Sequence, residues 1–238
     1  MEERGLAWDK ILIVVVVSVF VIIGVVAYFL TNGEVVAYWK FDEGSENIAY
    51  DSSGNGNHGT IYGATWTEGK IGGALYFGGY NYVLVPNSPS LEITDELTLE
   101  AWIKVLYSAD STILTKRYRF SEVGYGLHFW GPERMVSFNV GASMYEGLET
   151  REISLELDKW YHIAGTYIKS TGEWKIYVNG VLENSLTRPG ELAADNAPIY
   201  IGSHDHTSFF RGVIDEIRIY NRALSPDEIR AAAEKVST

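Results

Sequence analysis

The sequence predicts an all-β fold, an antiparallel sandwich or barrel, that follows a transmembrane helix and is closed by a short C-terminal helix. Three observations predict it. Residues 11–30 carry no charge, residues 35–220 consist of short strand-like runs separated by Gly, Asn, Asp and Pro, and a helix-capping sequence begins at Ser225. Many short strands with turns between them are typical of sandwiches and barrels, whereas alternating strand–helix units are absent from the pattern.

The apolar segment Ile11–Leu30 contains 20 consecutive uncharged residues, of which Ser18 is the overtly polar one. As a helix it would be about 30 Å long, the thickness of a bilayer core. A cleaved signal sequence is the alternative, but the run exceeds the usual signal core and no small-residue cleavage pattern follows. Arg4 and Lys10 precede the span, and Lys40 is the next basic residue. We therefore expect a cytoplasmic N-terminus at residues 1–10 and an extracellular or cell-surface domain.

After a linker at residues 31–36, we expect the sandwich to occupy residues 37–238. Residues 97–105 alternate between apolar and polar side chains. Residues 174–178 lead into Asn179-Gly180, a dipeptide that suits a two-residue hairpin. Further strands are predicted at 135–140, 160–167, 198–201 and 213–220. Ser225-Pro226-Asp227-Glu228 is a capping box with proline at the first helical position, which predicts a helix at 226–235.

Charge and composition narrow the function. The 238-residue chain has no cysteine, which excludes disulfides and zinc–thiolate sites, and its formal net charge is −12. Residues 34–238 hold 17 basic against 28 acidic residues, a net of −11, so the acidic character belongs to the outer domain. This balance argues against nucleic-acid binding, which needs Lys and Arg to neutralise phosphates.

A series of motifs then carries a specific resemblance. In chain order the motifs are AYWKFDEG at 37–44, DSSGNGNHGT at 51–60, GGALYF at 72–77, WYH at 160–162, IYVNG at 176–180 and IDEIRIYNRALS at 214–225. Together they resemble the laminin G-like domains of the concanavalin A-like lectin/glucanase superfamily over about residues 35–232, and the last motif also resembles the C-terminal part of pentraxins. The resemblance implies a jelly roll of two curved antiparallel sheets, often with calcium, that binds glycans or proteins.

The segment Asp51–Asn57 has the first half of a calcium-binding loop. Asp51, Ser53, Asn55 and Asn57 place oxygen-bearing side chains at alternate positions around Gly56, but Tyr62 stands where the bidentate glutamate would be. The alternative is an Asn/Gly-rich turn in which Asp51 caps backbone amides. The family resemblance favours Ca²⁺, and oxygen-only ligands favour it over zinc.

Two distant carboxylates are predicted to complete that shell. Strict alternation from Val213 would put Asp215 on the buried face with Ile217 and Ile219, where a carboxylate needs a partner. Asp42 ends the first strand, and first and last strands often pair in jelly rolls, so we expect Asp42 near Asp215. A turn role for Asp42, and backbone hydrogen bonds to Asp215, are the alternatives.

By analogy with pentraxins, loops on one face would carry the ligand. Sugars are commonly held by aromatic rings with carboxylates nearby. We expect the ligand residues to be Tyr118, Glu122, Tyr125, Trp130, His204, Asp205 and His206. Ordinary packing is the alternative for each aromatic ring.

These features predict a membrane-anchored, surface-exposed module that binds carbohydrate or a surface protein and is stabilised by calcium. Two alternatives remain. Arg4-Gly5-Leu6-Ala7 resembles the processing site of archaeal pilin-like precursors, which would make residues 11–30 a filament-assembly helix. Laminarinase-type hydrolysis needs two carboxylates about 5 Å apart, and the chain lacks the Glu-x-Asp-x-x-Glu series that supplies them on a strand. We therefore expect a protein without catalytic residues.

Overall fold

The structure, a computed structural model, describes residues 35–117, 124–141, 147–151, 153–190 and 192–235. The predicted transmembrane helix at 11–30 and the predicted ligand residues Tyr118 and Glu122 lie outside these ranges. Across the ranges that are described, no helix has the length and apolar character that a membrane crossing requires.

The described residues form two antiparallel sheets of eight strands each, numbered in chain order. The strands are β1 Val35–Trp39, β2 Ile48–Ala49, β3 Gly59–Tyr62, β4 Thr65–Glu68, β5 Gly73–Gly78, β6 Tyr82–Val85, β7 Glu96–Val105, β8 Ser111–Lys116, β9 Tyr125–Trp130, β10 Met135–Val140, β11 Leu148–Glu149, β12 Trp160–Ile168, β13 Glu173–Val178, β14 Val181–Thr187, β15 Ile199–Ile201 and β16 Arg211–Tyr220. Sheet A has the order β14-β13-β12-β7-β16-β5-β4, with β1 also paired to β16, and sheet B has the order β11-β10-β9-β8-β15-β6-β3-β2. The predicted antiparallel sandwich is confirmed.

The core lies between the two sheets and follows the alternation of the strands. In β7, Leu99, Ala101 and Ile103 face sheet B and are almost fully buried. Phe129 and Phe138 reach the same layer from sheet B. Burying each large apolar side chain contributes about 1.5–3 kcal/mol, which makes this layer the main source of stability.

The predicted hairpin and C-terminal helix are both confirmed. Asn179 and Gly180 join β13 to β14 with φ of 50° and 78°, the positive values that a tight hairpin turn requires. Helix α1 spans Pro226–Ala233, and its capping box forms between Ser225 and Glu228. Ile229 of α1 packs on the outer face of sheet A, so the helix covers part of that face.

The first and last strands pair, as expected, but one predicted side-chain direction in β16 is wrong. Ile217 and Ile219 lie in the core, whereas Asp215 stands opposite Trp102 on the outer face of sheet A. The reason is a register shift between Asp215 and Arg218, where Glu216 adopts a φ of 52°. This bulge inserts an extra residue and inverts the alternation that strict periodicity predicts.

The bulge helps to assemble a buried ion cluster on the outer face of sheet A, formed by Tyr38, Glu100, Glu216, Arg218 and Tyr220. The guanidinium of Arg218 donates to Glu100 Oε1 at 3.0 Å and pairs with Glu216. The Tyr38 hydroxyl donates to Glu216 at 2.8 Å, and that of Tyr220 donates to Glu100 at 3.1 Å. Two buried carboxylates thus share one cation and two hydroxyl donors.

The charges in the ion cluster hold one another ionised. Burial lowers the pKa of Arg218, but Glu100 and Glu216 outweigh it, and the net shift is upward. Burial likewise raises the pKa of Glu100, but His162, whose Nε2 lies 3.5 Å from Glu100 Oε2, and Arg218 together bring it below its ordinary value. The cluster is therefore internally paired.

Candidate ligand-binding face

The outer face of sheet B carries a row of buried polar side chains across three neighbouring strands. Thr112, His128 and Ser137 stand opposite one another on β8, β9 and β10. Thr112 Oγ1 lies 3.1 Å from His128 Nδ1. Buried polar groups in folded proteins usually have hydrogen-bond partners, and the contact between Thr112 and His128 supplies one within this row.

The row continues toward the end of β9. Trp130 projects from the same face, and its indole N–H donates to Ser137 Oγ at 3.0 Å. The Ser137 hydroxyl donates in turn to Asn139 Oδ1 at 3.1 Å. Of the predicted ligand residues, Trp130 therefore lies at this face and is connected to its polar row.

His204 lies next to His128 of the polar row. The rings of His128 and His204 are 6.4 Å apart, and both side chains are buried. Burial, together with His204 and Arg117, lowers the pKa of His128 to about 3. His128 is consequently neutral at physiological pH, with one ring nitrogen that donates and one that accepts.

Beside the polar row lies a set of aromatic rings, here named the aromatic strip: Tyr62, Tyr82, Tyr200 and His206. Tyr62 and Tyr82 stand opposite each other on β3 and β6 and stack at 4.7 Å with an interplanar angle of 17°. His206 meets Tyr82 edge-on at 4.8 Å and Tyr200 at 5.5 Å. Tyr62 is 44% exposed, so the strip ends in a ring that reaches the surface.

A tight turn holds His206 in the aromatic strip, against Tyr82 and Tyr200. Backbone hydrogen bonds between His204 and Thr207 close the turn, and its two central residues, Asp205 and His206, have φ of 45° and 62°. Asp and His adopt this left-handed region more readily than most side chains. The Tyr200 hydroxyl donates to Asp205 Oδ1 at 3.3 Å, which puts a carboxylate beside the rings.

The structure thus brings together Trp130, His204, Asp205 and His206 of the predicted ligand residues, but not Tyr125. Tyr125 faces the core with 2% exposure, and its hydroxyl donates to the carbonyl of Leu91 at 3.1 Å. The physical reason is the alternation of β9, in which His128 and Trp130 take the outer face and Tyr125 takes the inner one.

The Asp51 segment is arranged as a closed turn. Asp51 Oδ1 accepts the N–H groups of Tyr38 and Ser53 at 2.9 and 2.8 Å, and Oδ2 accepts the Ser53 hydroxyl and the Asn57 N–H. The amides of Asn55 and Asn57 donate to the carbonyl of Val36. These oxygens are engaged in the turn, so their arrangement does not fit the coordination of a cation.

Asp42 and Asp215 hold one loop, at residues 69–73. Asp215 Oδ2 accepts the N–H groups of Lys70 and Ile71 at 2.8 and 3.0 Å, and Asp42 Oδ1 accepts that of Gly73 at 2.7 Å. The two carboxylates therefore flank the same loop, as the pairing of first and last strands predicts. In the described part of the chain, no group of three His, Asp or Glu side chains is placed to hold a metal ion.

Sequence reasoning missed the aromatic strip and the polar row. Tyr62, Tyr82 and Tyr200 come from three separated segments, and their proximity depends on which strands pair. The alternation of Tyr82-Val83-Leu84-Val85 does indicate a half-buried strand with Tyr82 on its outer side. The sequence has no comparable signal for the neighbours of that tyrosine.

Solved structures of other proteins share this fold. Domain 4 of AbnA, a GH43 extracellular arabinanase from Geobacillus stearothermophilus solved in complex with arabinotriose, matches with a TM-score of 0.70 at 24% identity, over 85% of this chain and 99% of that chain. The binding domain of Paraclostridial Mosquitocidal Protein 1 matches with a TM-score of 0.67 at 15% identity, over 86% and 52%. Trypanosoma rangeli sialidase in complex with the inhibitor DANA matches with a TM-score of 0.64 at 20% identity, over 86% and 34%.

At these identities the likeness shows the fold, and the chain spans only about half of the second structure and a third of the third. The sequence has no match among curated proteins. The Laminin_G_3 family model, described as the concanavalin A-like lectin/glucanases superfamily, matches residues 77–230, more than half of the chain. Together with the two-sheet fold, this match shows that the chain belongs to the concanavalin A-like lectin/glucanase superfamily.

Proposed function

We propose that this protein is a glycan-binding module whose ligand occupies the outer face of sheet B. The observation that carries the proposal is the aromatic strip, which ends in the exposed ring of Tyr62 and has the Asp205 carboxylate beside it. The C–H faces of sugars pack on aromatic rings, and sugar hydroxyls need hydrogen-bond acceptors. Both requirements are met at one place on the surface.

The polar row borders the proposed site. Its side chains are buried, and the hydrogen bonds from Trp130 to Ser137 and from Ser137 to Asn139 are made within the protein. The row therefore helps to shape the face that carries the aromatic strip. The relative with the same fold that was solved with arabinotriose adds support for an oligosaccharide as the ligand class.

Binding without catalysis is part of the proposal. Glu100 and Glu216 are the carboxylates drawn together by one neighbour, but both pair with Arg218 inside the ion cluster. A retaining glycosidase needs one carboxyl group that is protonated and one that attacks the sugar. Carboxylates that are buried and bound to a guanidinium are poorly suited to either role.

The test is glycan binding by the full chain, purified in mild detergent and applied to a glycan array, followed by calorimetry on any ligand found. Replacing Tyr62 with Ala is expected to weaken binding about three- to tenfold, because one stacking surface is lost. Tyr76→Ala is the matched control, since Tyr76 is 40% exposed but lies on sheet A. Equal affinity of the Tyr62 and Tyr76 variants would contradict the placement of the ligand.

We further propose that residues 11–30 anchor the module in a membrane, on the strength of their 20 uncharged residues. Membrane fractionation of the full chain, compared with a chain lacking residues 1–33, tests the anchor. Recovery of the full chain in the soluble fraction would refute it. Filament assembly is the second candidate, favoured by Arg4-Gly5-Leu6-Ala7. Mass spectrometry of the mature N-terminus distinguishes the two, because pilin-type processing would leave Leu6 first.

Calcium stays a prediction with its own test. The engaged oxygens of Asp51 count against that segment as a ligand set, and Asp42 and Asp215 each have one oxygen bound to loop amides. If calcium stabilises the protein, its melting temperature will rise with added Ca²⁺ and fall with EDTA. Identical melting curves under the two conditions would eliminate the prediction.

A further inference from the structure

A second group of side chains, three exposed and one half-buried, lies at one end of the sandwich and is here named the rim patch: Tyr80, Tyr107, Arg211 and the half-buried Phe209. The rings of Tyr80 and Phe209 are 5.2 Å apart. The Arg211 guanidinium lies 4.8 Å from the centre of the Tyr107 ring. Three connections of the fold therefore meet at this patch: the β5–β6 turn, the loop after β7 and the segment before β16.

Close backbone contacts hold Arg211 at the patch. Arg211 packs so closely on Gly79 that a Cβ there would lie 2.9 Å from Arg211 Nε, and the Leu106 N–H donates to the Arg211 carbonyl at 3.0 Å. Gly79 itself has a φ of 93°, which only glycine adopts readily. The patch is held by the fold and is open to solvent.

The exposure of the rim patch indicates a binding site. Tyr80 is 78% exposed and Tyr107 is 54% exposed. Clustered aromatic rings and an arginine on an open surface are characteristic of binding sites, whereas scattered single apolar residues are not. No residue of the rim patch belongs to the aromatic strip or the polar row.

We infer that the rim patch extends the proposed glycan site, so that the ligand is a neutral oligosaccharide chain long enough to contact the aromatic strip and the rim patch together. This inference rests on the proposed function. Its basis is continuity: the segments at residues 80–82 and 206–209 meet twice, through Tyr82 and His206 in the strip and through Tyr80 and Phe209 in the patch. A chain seated on the strip therefore meets the patch at its end.

The charge of the domain selects a neutral chain. Residues 34–238 carry a net charge of −11, which disfavours polysaccharides rich in carboxylates or sulfates. Asp205 stands at the strip itself, where a second carboxylate would be repelled. The cation of the rim patch, Arg211, lies against Tyr107, where its N–H groups remain able to donate to sugar hydroxyls.

The test measures how affinity depends on ligand length. The full chain in mild detergent is titrated by calorimetry with neutral oligosaccharides of arabinose, xylose, glucose and mannose, each from two to eight residues long. The wild-type protein is expected to bind long chains more tightly than short ones. Tyr80→Ala should weaken long-chain binding about three- to tenfold and leave short-chain binding within about twofold, because only long chains reach the lost ring.

The outcomes separate the inference from the function on which it rests. Tyr76→Ala is the control, and it should keep the wild-type dependence on length. If Tyr80→Ala keeps that dependence too, or weakens all lengths equally, the rim patch is not part of the site and the inference is overturned while the proposed function stands. If none of these neutral oligosaccharides binds the wild-type protein, the inference is overturned, and the proposed function is refuted as well if the glycan array also shows no ligand.

Discussion

The outer faces of the two sheets both carry polar and aromatic side chains, but the two faces differ in how far the chain itself covers and partners these side chains. On sheet A, helix α1 covers one part and the ion cluster fills another, so that the charged groups there bind one another. On sheet B, the polar row is buried but the aromatic strip beside it ends in an exposed tyrosine. The difference teaches that charged groups partnered within the chain mark a structural face, whereas a cluster of stacked rings that reaches the surface, unlike the single exposed ring of Tyr76 on sheet A, marks the proposed binding face.

The comparison also shows why buried carboxylates are a poor guide to function in this molecule. Glu100 and Glu216 are buried carboxylates on neighbouring strands that share one neighbour. Their common partner Arg218 and two tyrosine hydroxyls account for them without any substrate. Tyr62 of the aromatic strip, by contrast, is 44% exposed.

The largest effect is expected from Arg218→Leu, which tests whether the ion cluster stabilises sheet A. The variant leaves two buried carboxylates without their cation and should lose about 3–5 kcal/mol of unfolding free energy. Denaturant titration followed by tryptophan fluorescence measures the loss. Arg230→Leu is the control, because Arg230 is 58% exposed and its ion pair with Asp227 contributes at most about 1 kcal/mol. Equal stability of the two variants would show that the cluster does not stabilise the fold.

A smaller effect, which depends on pH, is expected at Asp215. Burial raises its pKa to about 7, against the hydrogen bond from Ile71 that lowers it. The pKa of this carboxyl group in the unfolded chain is about 4. The folded protein therefore holds the proton more tightly, and its free energy of unfolding falls as the pH rises from about 4 to 7. Asp215→Asn keeps an oxygen for the loop amides and should remove this loss, which amounts to at most about 4 kcal/mol.

Unfolding free energies at pH 5 and pH 8, measured in EDTA, check this expectation. Asp227→Asn is the control, since the Asp227 side chain is 90% exposed, and it should keep the wild-type pH dependence. If the wild-type protein is more stable than Asp215→Asn at pH 8, the fold stabilises the ionised form of the carboxylate. That result would contradict the raised pKa of Asp215.

The smallest effect is expected from Ser225→Ala, which removes the N-cap of the helix that covers sheet A. The Ser225 hydroxyl oxygen accepts the N–H of Glu228, and Glu228 reaches back to the Ser225 N–H at 2.9 Å. Loss of the cap should cost about 1 kcal/mol, visible as a lower denaturant midpoint. Ser185→Ala, on an exposed position of β14, should change the midpoint little, and a similar shift in both variants would refute the role of the cap.

Local patterns predicted much of the fold. The alternation of residues 97–105 predicted β7, and Asn179-Gly180 and Ser225–Glu228 predicted a turn and a helix start, because each depends on neighbours in the sequence. The direction of Asp215 was not predictable, since a single extra residue at Glu216 reverses the alternation. The proposed binding face was the least predictable: Trp130 and the 204–206 turn were predicted through the family resemblance, but the meeting of Tyr62 with Tyr82 depends on long-range strand pairing.

The position of β16 has a consequence for how the protein is made. Residues 211–220 lie in the middle of sheet A, where they pair with β1, β5 and β7, yet they form the last strand of the described domain in chain order. Until they emerge from the ribosome, three strands present unpaired backbone edges, which favour aggregation. We therefore expect the domain to complete its folding only when residues 211–220 are available, and a product that stops before residue 211 to be retained by chaperones or degraded.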